Sequence, residues 1–193
     1  MTAAVRQQIL ISGVGGQGVL FVTRLLAEAA ILRGLPVFTS ETHGMAQRGG
    51  TVVSHLKIGD FHSPLIRAGQ ADGLLVLKAE NVAQHALFLK PGGWITVNAG
   101  EEAAFDVPGK ISRIDADRLS QEVGQPKSLN LVVLGFALAV AEKMKKNSDR
   151  LFCSRADIEA AVASGSENKP QQAAAFLKAI RSGYDAFVYN ITV

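Results

Sequence analysis

The stretch from Ile9 to Gly18 restricts this chain more than any other. Its apolar run Ile9-Leu10-Ile11 passes through Gly13-Val14-Gly15-Gly16-Gln17-Gly18 into a helical pattern. Glycines at 13, 15 and 18 directly after a strand permit a tight turn, let a ligand or partner approach the main chain, and seat a helix closely on a sheet. Between Gln17 and Arg33 the residues Val19, Val22, Leu25, Leu26, Ala29 and Ala30 return to one helical face, and Gly34 ends the helix. A strand over residues 36–40 would complete a βαβ unit.

A second unusual loop follows, Glu41-Thr42-His43-Gly44-Met45-Ala46-Gln47-Arg48-Gly49-Gly50-Thr51. It sets His43, Gln47 and Arg48 beside flexible glycines without any apolar period, a composition suited to contact rather than packing. Beyond it, Val52, Ser54, Leu56 and Ile58 alternate with Val53, His55 and Lys57, the pattern of a strand with one well-buried face. Gly59-Asp60 reads as a turn, and Pro64 marks an irregular crossing over residues 61–70.

The apolar run 73–77 suits a central strand covered on both faces. A helix over 79–89, stopped by Pro91-Gly92-Gly93, leads to a strand over 94–98 with Trp94 in the core. A loop over 99–109, a strand over 110–114 and a short helix over 115–123 come next. Residues 130–145 predict a long helix with Asn130 as N-cap. Leu131, Val132, Val133, Leu134, Phe136, Ala137, Leu138 and Val140 cover nearly all its sides, so it must lie in the core or against another subunit. Ser154-Arg155-Ala156-Asp157 is a capping start for a helix to about residue 163, and residues 171–189 form a last amphipathic helix. The alternation predicts a single domain over residues 1–193, an α/β fold of three layers (α/β/α) around a mostly parallel, Rossmann-like sheet with a helical C-terminal cap.

The chain carries a net charge of +3, but its basic residues are scattered, and the densest group, Lys143, Lys145 and Lys146, closes a helix where it complements the dipole. Nucleic acid is therefore not an expected partner. Cys153 is the only cysteine. It excludes an intrachain disulfide and an iron–sulfur cluster held by this chain alone, and is best taken as a small core residue. No apolar run approaches the roughly 18–20 residues of a membrane span, and Met1 to Gln8 lacks a signal-peptide core. A cytoplasmic protein without membrane contact is expected.

The glycine loop alone admits two readings. Glu41 stands near the end of the second strand, where an acidic residue would meet a ribose hydroxyl, so a self-sufficient dinucleotide-binding protein is one. The other is a macromolecular contact. In the second loop His43 can titrate near neutrality and Arg48 offers a fork of donors for carboxylate or phosphate. No activated nucleophile or acid–base pair accompanies them, which favours contact over bond-making chemistry. His55, His62 and His85 lack metal-ligand spacing, and Asp115 and Asp117 mark a helix start, so neither a catalytic nor a metal site is expected.

Taken together, Gly13-Val14-Gly15-Gly16-Gln17-Gly18 and His43-Gly44-Met45-Ala46-Gln47-Arg48-Gly49-Gly50 resemble the gamma subunit or domain of the 2-oxoacid (pyruvate/ketoacid):ferredoxin oxidoreductases. Within that family the chain is most similar to the small beta subunit of indolepyruvate ferredoxin oxidoreductase. The likeness continues through Ser63-Pro64, Asp72 and Pro91-Gly92-Gly93 to Asn98, with a looser echo in Asn130-Leu131-Val132-Val133-Leu134-Gly135. The resemblance implies an accessory subunit of an enzyme that oxidatively decarboxylates a 2-oxoacid to an acyl-CoA with ferredoxin as acceptor. It also implies that partner subunits hold thiamine diphosphate and the iron–sulfur clusters, that coenzyme A is accommodated near this unit, and that the isolated chain is inactive, with a homodimer as a state open to it.

Carried over, Gly13, Gly15, Gly16 and Gly18 would shape the first loop and Gln17 would present an amide at the helix start. His43, Gln47 and Arg48 would order the second loop or meet a partner, and Gly44, Gly49 and Gly50 would allow its path. Lys78 departs from the family's acidic tendency at that position.

Overall fold

The computed structural model describes residues 5–43, 50–143, 151–166 and 169–190. Its centre is a six-stranded sheet in the order β2-β3-β1-β4-β5-β6. The strands are β1 (Gln7–Val14), β2 (Val37–His43), β3 (Thr51–Ile58), β4 (Ala71–Val76), β5 (Leu89–Asn98) and β6 (Lys110–Ile114). The pairs β1/β4, β4/β5 and β5/β6 are parallel, whereas β3 runs antiparallel to both β1 and β2. Only β3 is reversed, so the expected mostly parallel sheet is present with one strand inserted against its direction.

That insertion changes the βαβ unit. Helix α1 (Val19–Leu32) does connect β1 to β2, but β2 lies at the sheet edge and β3 fills the place beside β1. The second strand is also longer than its local pattern predicts, because pairing continues through Glu41 opposite Ser54 to His43 opposite Val52. Strand pairing holds residues whose side chains carry no apolar alternation.

Alternate residues of the strands separate two cores. Ile9, Ile11, Leu56, Ile58, Leu75 and Leu77 face α1, α4 (Leu129–Lys143), α5 (Arg155–Ser164) and α6 (Pro170–Asn190). Leu10, Leu74, Val76, Ile95 and Val97 face the short α2 (Asn81–His85) and the loops carrying Ile66, Phe105 and Val107. The second helical layer is therefore thin. The helix expected over 79–89 reduces to α2 and a single 3-10 turn over 86–88. Leu89 then pairs with Ala71 as the start of β5, and residues 90–93 bulge from that strand before Trp94 resumes pairing opposite Gly73.

Asn130 is not an N-cap: α4 starts one residue earlier, and Ser128 O accepts from the Leu131 and Val132 N–H groups at 3.0 and 3.1 Å. Every residue from Asn130 to Ala141 is buried by the chain itself, so α4 needs no other subunit to cover it. Helix α5 has the expected capping box between Ser154 and Asp157, and Asp115 caps the short α3 (Ala116–Glu122). Among the described residues no helix is long and apolar enough to cross a membrane.

Candidate functional site

The sheet brings the two singled-out loops to one edge. Val14, the last residue of β1, lies opposite Thr51, the first of β3, and the Gly15 N–H donates to Gly50 O at 3.1 Å. His43 ends β2 opposite Val52. Residues 44–49, with Gly44, Gln47, Arg48 and Gly49, lie outside the described residues.

The glycine loop closes on itself. Gln17 N–H donates to Val14 O at 3.1 Å, while the Gln17 side chain accepts from Val14 N–H at 2.9 Å and donates to Leu77 O at 3.1 Å. The amide expected to be presented at the helix start is therefore turned inward, joining the ends of β1 and β4. Gly16 and Gly18 adopt left-handed φ of 93° and 78°, a region costly for other residues. Asn130, misread as a cap, reaches across from α4 and donates to Gly18 O at 3.2 Å. A Cβ on Gly18 would stand 2.3 Å from its Nδ2 atom.

The dinucleotide reading loses support mainly from the placement of Glu41, and only in part from the loop's own hydrogen bonds. A pyrophosphate cradle needs main-chain N–H groups directed at the ligand; those of Val14, Gly15 and Gln17 already have partners in the chain, whereas those of Gly16, Gly18, Val19 and Leu20 at the start of α1 have none among the described residues. Glu41, exposed opposite Ser54, is separated from the loop by β3. Two strand spacings put its strand about 10 Å from β1.

Under the loop lies a polar network that sequence reasoning missed. Asn81 Nδ2 donates to Ser12 Oγ at 3.0 Å and to Gly13 O at 3.1 Å, and Ser12 Oγ lies 2.9 Å from His85 Nδ1. With Asn81 donating to it, the serine oxygen keeps one proton and one lone pair for the contact with His85 Nδ1. Asn98 performs a similar task one strand over: it donates to Leu77 O at 3.2 Å and Asp117 at 2.8 Å and accepts from Ala116 N–H at 2.9 Å. Asn98, closing the apolar run 94–97, was the available signal, since a buried amide demands partners, whereas Asn81 stands among Lys78, Glu80 and Gln84 and gave none.

Burial pushes the His85 imidazole below the ordinary histidine range; a backbone hydrogen bond at Asn81 opposes this and His55 adds to it. His55 is lowered too, by burial first and by Lys57 second. Both folded values lie below the unfolded one. Their contribution to stability is thus fully present above the unfolded pKa, about 6.5, and is lost as pH falls from there toward the folded values. Chemical denaturation between pH 7.5 and 5.5 is expected to show stability falling with pH, each histidine contributing a slope of at most about 1.4 kcal/mol per pH unit. His85→Gln should flatten the profile; an unchanged slope would show that His85 is not held neutral.

An open cleft of about 490 Å³ runs beside the glycine loop, with Val14, Val19, Leu20, Phe21 and Val52 supplying an apolar wall and Arg24 a cation. Lys78 leaves the same edge after β4 and pairs with Glu80 at 3.1 Å. Cys153 is remote from this edge, in the core beneath α5, where burial pushes its thiol up to about 12. One inert thiol does not fit an iron–sulfur cluster, and among the described residues no three His, Cys, Asp or Glu side chains gather as metal ligands.

Comparison with known proteins agrees with this fold. The sequence model described as pyruvate ferredoxin/flavodoxin oxidoreductase matches residues 8–186. Indolepyruvate oxidoreductase subunit IorB from Archaeoglobus fulgidus is 33% identical over 150 residues, covering 67% of this chain and 75% of that protein. 2-Oxoglutarate synthase subunit KorC from Methanothermobacter thermautotrophicus is 28% identical over 140 residues, 68% and 74% of the two chains. The keto/oxoacid ferredoxin oxidoreductase gamma subunit from Geobacter sulfurreducens superposes with a TM-score of 0.73 at 26% identity, over 95% of this chain and 99% of that one. On its sequence and its fold alike, this chain belongs to the pyruvate ferredoxin/flavodoxin oxidoreductase family.

Proposed function

We propose that this chain is the gamma-type accessory subunit of a 2-oxoacid:ferredoxin oxidoreductase. In that complex a 2-oxoacid loses carbon dioxide and two electrons, its acyl group passes to coenzyme A, and ferredoxin receives the electrons. Thiamine diphosphate and the iron–sulfur clusters reside on partner subunits. The observation that carries this reading is the family match over residues 8–186, and the Gly15–Gly50 bond that brings the end of the glycine loop to the end of the second loop supports it. The glycine loop then offers the partner a shaped ridge at the carboxyl edge of the sheet. Gly13, Gly15, Gly16, Gly18 and Gly50 shape the ridge; His43, Gln47 and Arg48 meet the partner, and the adjoining apolar cleft faces the coenzyme A side. The IorB relatives make indolepyruvate the first oxoacid to test.

The test is gentle isolation of the tagged chain from its native cells, with identification of copurifying polypeptides, thiamine diphosphate and iron. Recovery with a larger partner bearing thiamine diphosphate and iron is expected. Recovery alone, together with a tight stoichiometric NAD complex by calorimetry, would restore the dinucleotide alternative. Arg48→Ala is expected to weaken assembly or acyl transfer more than thermal stability, and unchanged activity of the reconstituted complex would remove Arg48 from the contact.

A further inference from the structure

The opposite edge of the sheet holds a second cleft, unrelated to the glycine loop. It has a volume of about 600 Å³ and is lined by Arg6, Gln8, Lys57, Phe61, His62 and Arg67, among others. Gln8 of β1 lines it six residues before Val14, a distance of roughly 20 Å at about 3.3 Å per residue. The size falls in the range of small-molecule sites, about 300–1,000 Å³.

Its charge is unbalanced. Arg6, Lys57 and Arg67 converge here, and among the described residues none of them forms an ion pair with a carboxylate. Asp72, on the neighbouring β4, is already engaged by Lys90 and by the Gln8 N–H at 2.6 Å. Lys57 is only 6% exposed, although it lines the cleft. Its ammonium rests 5.0 Å from the Phe61 ring centroid, and the Arg6 guanidinium lies 4.4 Å from the same ring. Burial first, then Arg67 and Arg6, lower the Lys57 pKa. An ammonium beside two guanidinium groups and without a carboxylate is unfavourable for the empty fold, and the ring contacts hold two of these cations in place before any ligand arrives.

We propose that this cleft binds a phosphate-bearing small molecule, with Lys57, Arg6 and Arg67 meeting its phosphate or diphosphate oxygens. Three converging cations match a multiply charged anion better than one carboxylate, and the guanidinium forks suit phosphate oxygens. The site is independent of the assembly reading, because it shares no lining residue with the cleft beside the glycine loop.

The test uses the full chain and inorganic pyrophosphate as probe, titrated by calorimetry and followed by thermal melts. Saturable one-site binding is expected, weakened at least tenfold in Arg67→Gln and in Lys57→Met, with succinate binding much more weakly. Pyrophosphate should raise the melting temperature of the native chain and leave that of Lys57→Met unmoved. Lys57→Met alone should melt no lower than the native chain, since it removes an unpaired charge. Pyrophosphate affinity equal to that of succinate, or unaltered by either substitution, would overturn the proposal. In the first case the cleft would instead be a receptor for carboxylates.

Discussion

Replacing Gly183 by alanine is expected to destabilise the protein by about 3 kcal/mol, although alanine is the better helix former by about 1 kcal/mol. Gly183 lies on α6 where that helix meets α4, and a Cβ there would stand 1.9 Å from Val132 O. The contact is reciprocal: a Cβ on Gly135 of α4 would stand 1.9 Å from Ile180 O. Residues 132 and 135 on one helix thus meet 183 and 180 on the other, which places the two backbones in direct contact along an antiparallel crossing. Ordinary helix pairs keep their axes about 8–10 Å apart because side chains intervene; here none does. In a chain of 193 residues, about 3 kcal/mol corresponds to a melting point lower by roughly 6–12 °C. Gly100→Ala, with open space around the glycine, provides the control and should be neutral or slightly stabilising. Equal melting temperatures for the two variants would show that α4 and α6 can separate without cost.

This crossing also marks a limit of the sequence as a guide. Gly135 and Gly183 lie far apart in the chain, and nothing local to either reveals the other. Elements set by local rules were legible: the β1 run, the α1 stripe, the alternation of β3, the strand Lys110–Ile114 and the capping box of α5 each depend on neighbours within a few residues. The placement of β3 was not. Alternation identifies a strand but not its direction or neighbours, so its insertion between β1 and β2 could not be read, nor could the separation of Glu41 from the glycine loop.

The candidate site was divided in the same way. The glycines and the second loop stood out by composition, and the Gly15–Gly50 bond brings the end of one to the end of the other. The residues that hold the loop from behind, Asn81, His85 and Asn130, were hidden because each acts on a partner distant in sequence, the first two on the end of β1 and Asn130 on the start of α1. Asn130 followed the N-cap pattern well enough to mislead: the residue type was informative, but the partner was Gly18 O rather than its own helix.

Gln17→Leu should separate a docking ridge from a merely structural turn. Leucine keeps much of the bulk but loses both side-chain hydrogen bonds. Leu77 O retains Asn98 as donor, so the penalty falls mainly on the half-buried Val14 N–H and is about 1–3 kcal/mol. The fold should survive, since none of the main core depends on this amide. The loop should not keep its shape, and Gly50, bonded to Gly15, would shift with it. Affinity for the partner subunits is therefore expected to fall at least tenfold, about 1.4 kcal/mol, while the melting temperature falls modestly. A pull-down titration against the copurified partner subunits, paired with a melt of the isolated chain, reads the two effects separately. If stability falls but assembly is unchanged, Gln17 only fastens β1 to β4 and the docking surface lies elsewhere. If assembly fails in a chain that still melts cooperatively, the glycine loop acts through its shape, and the Gln17 side chain is what holds that shape for the partner.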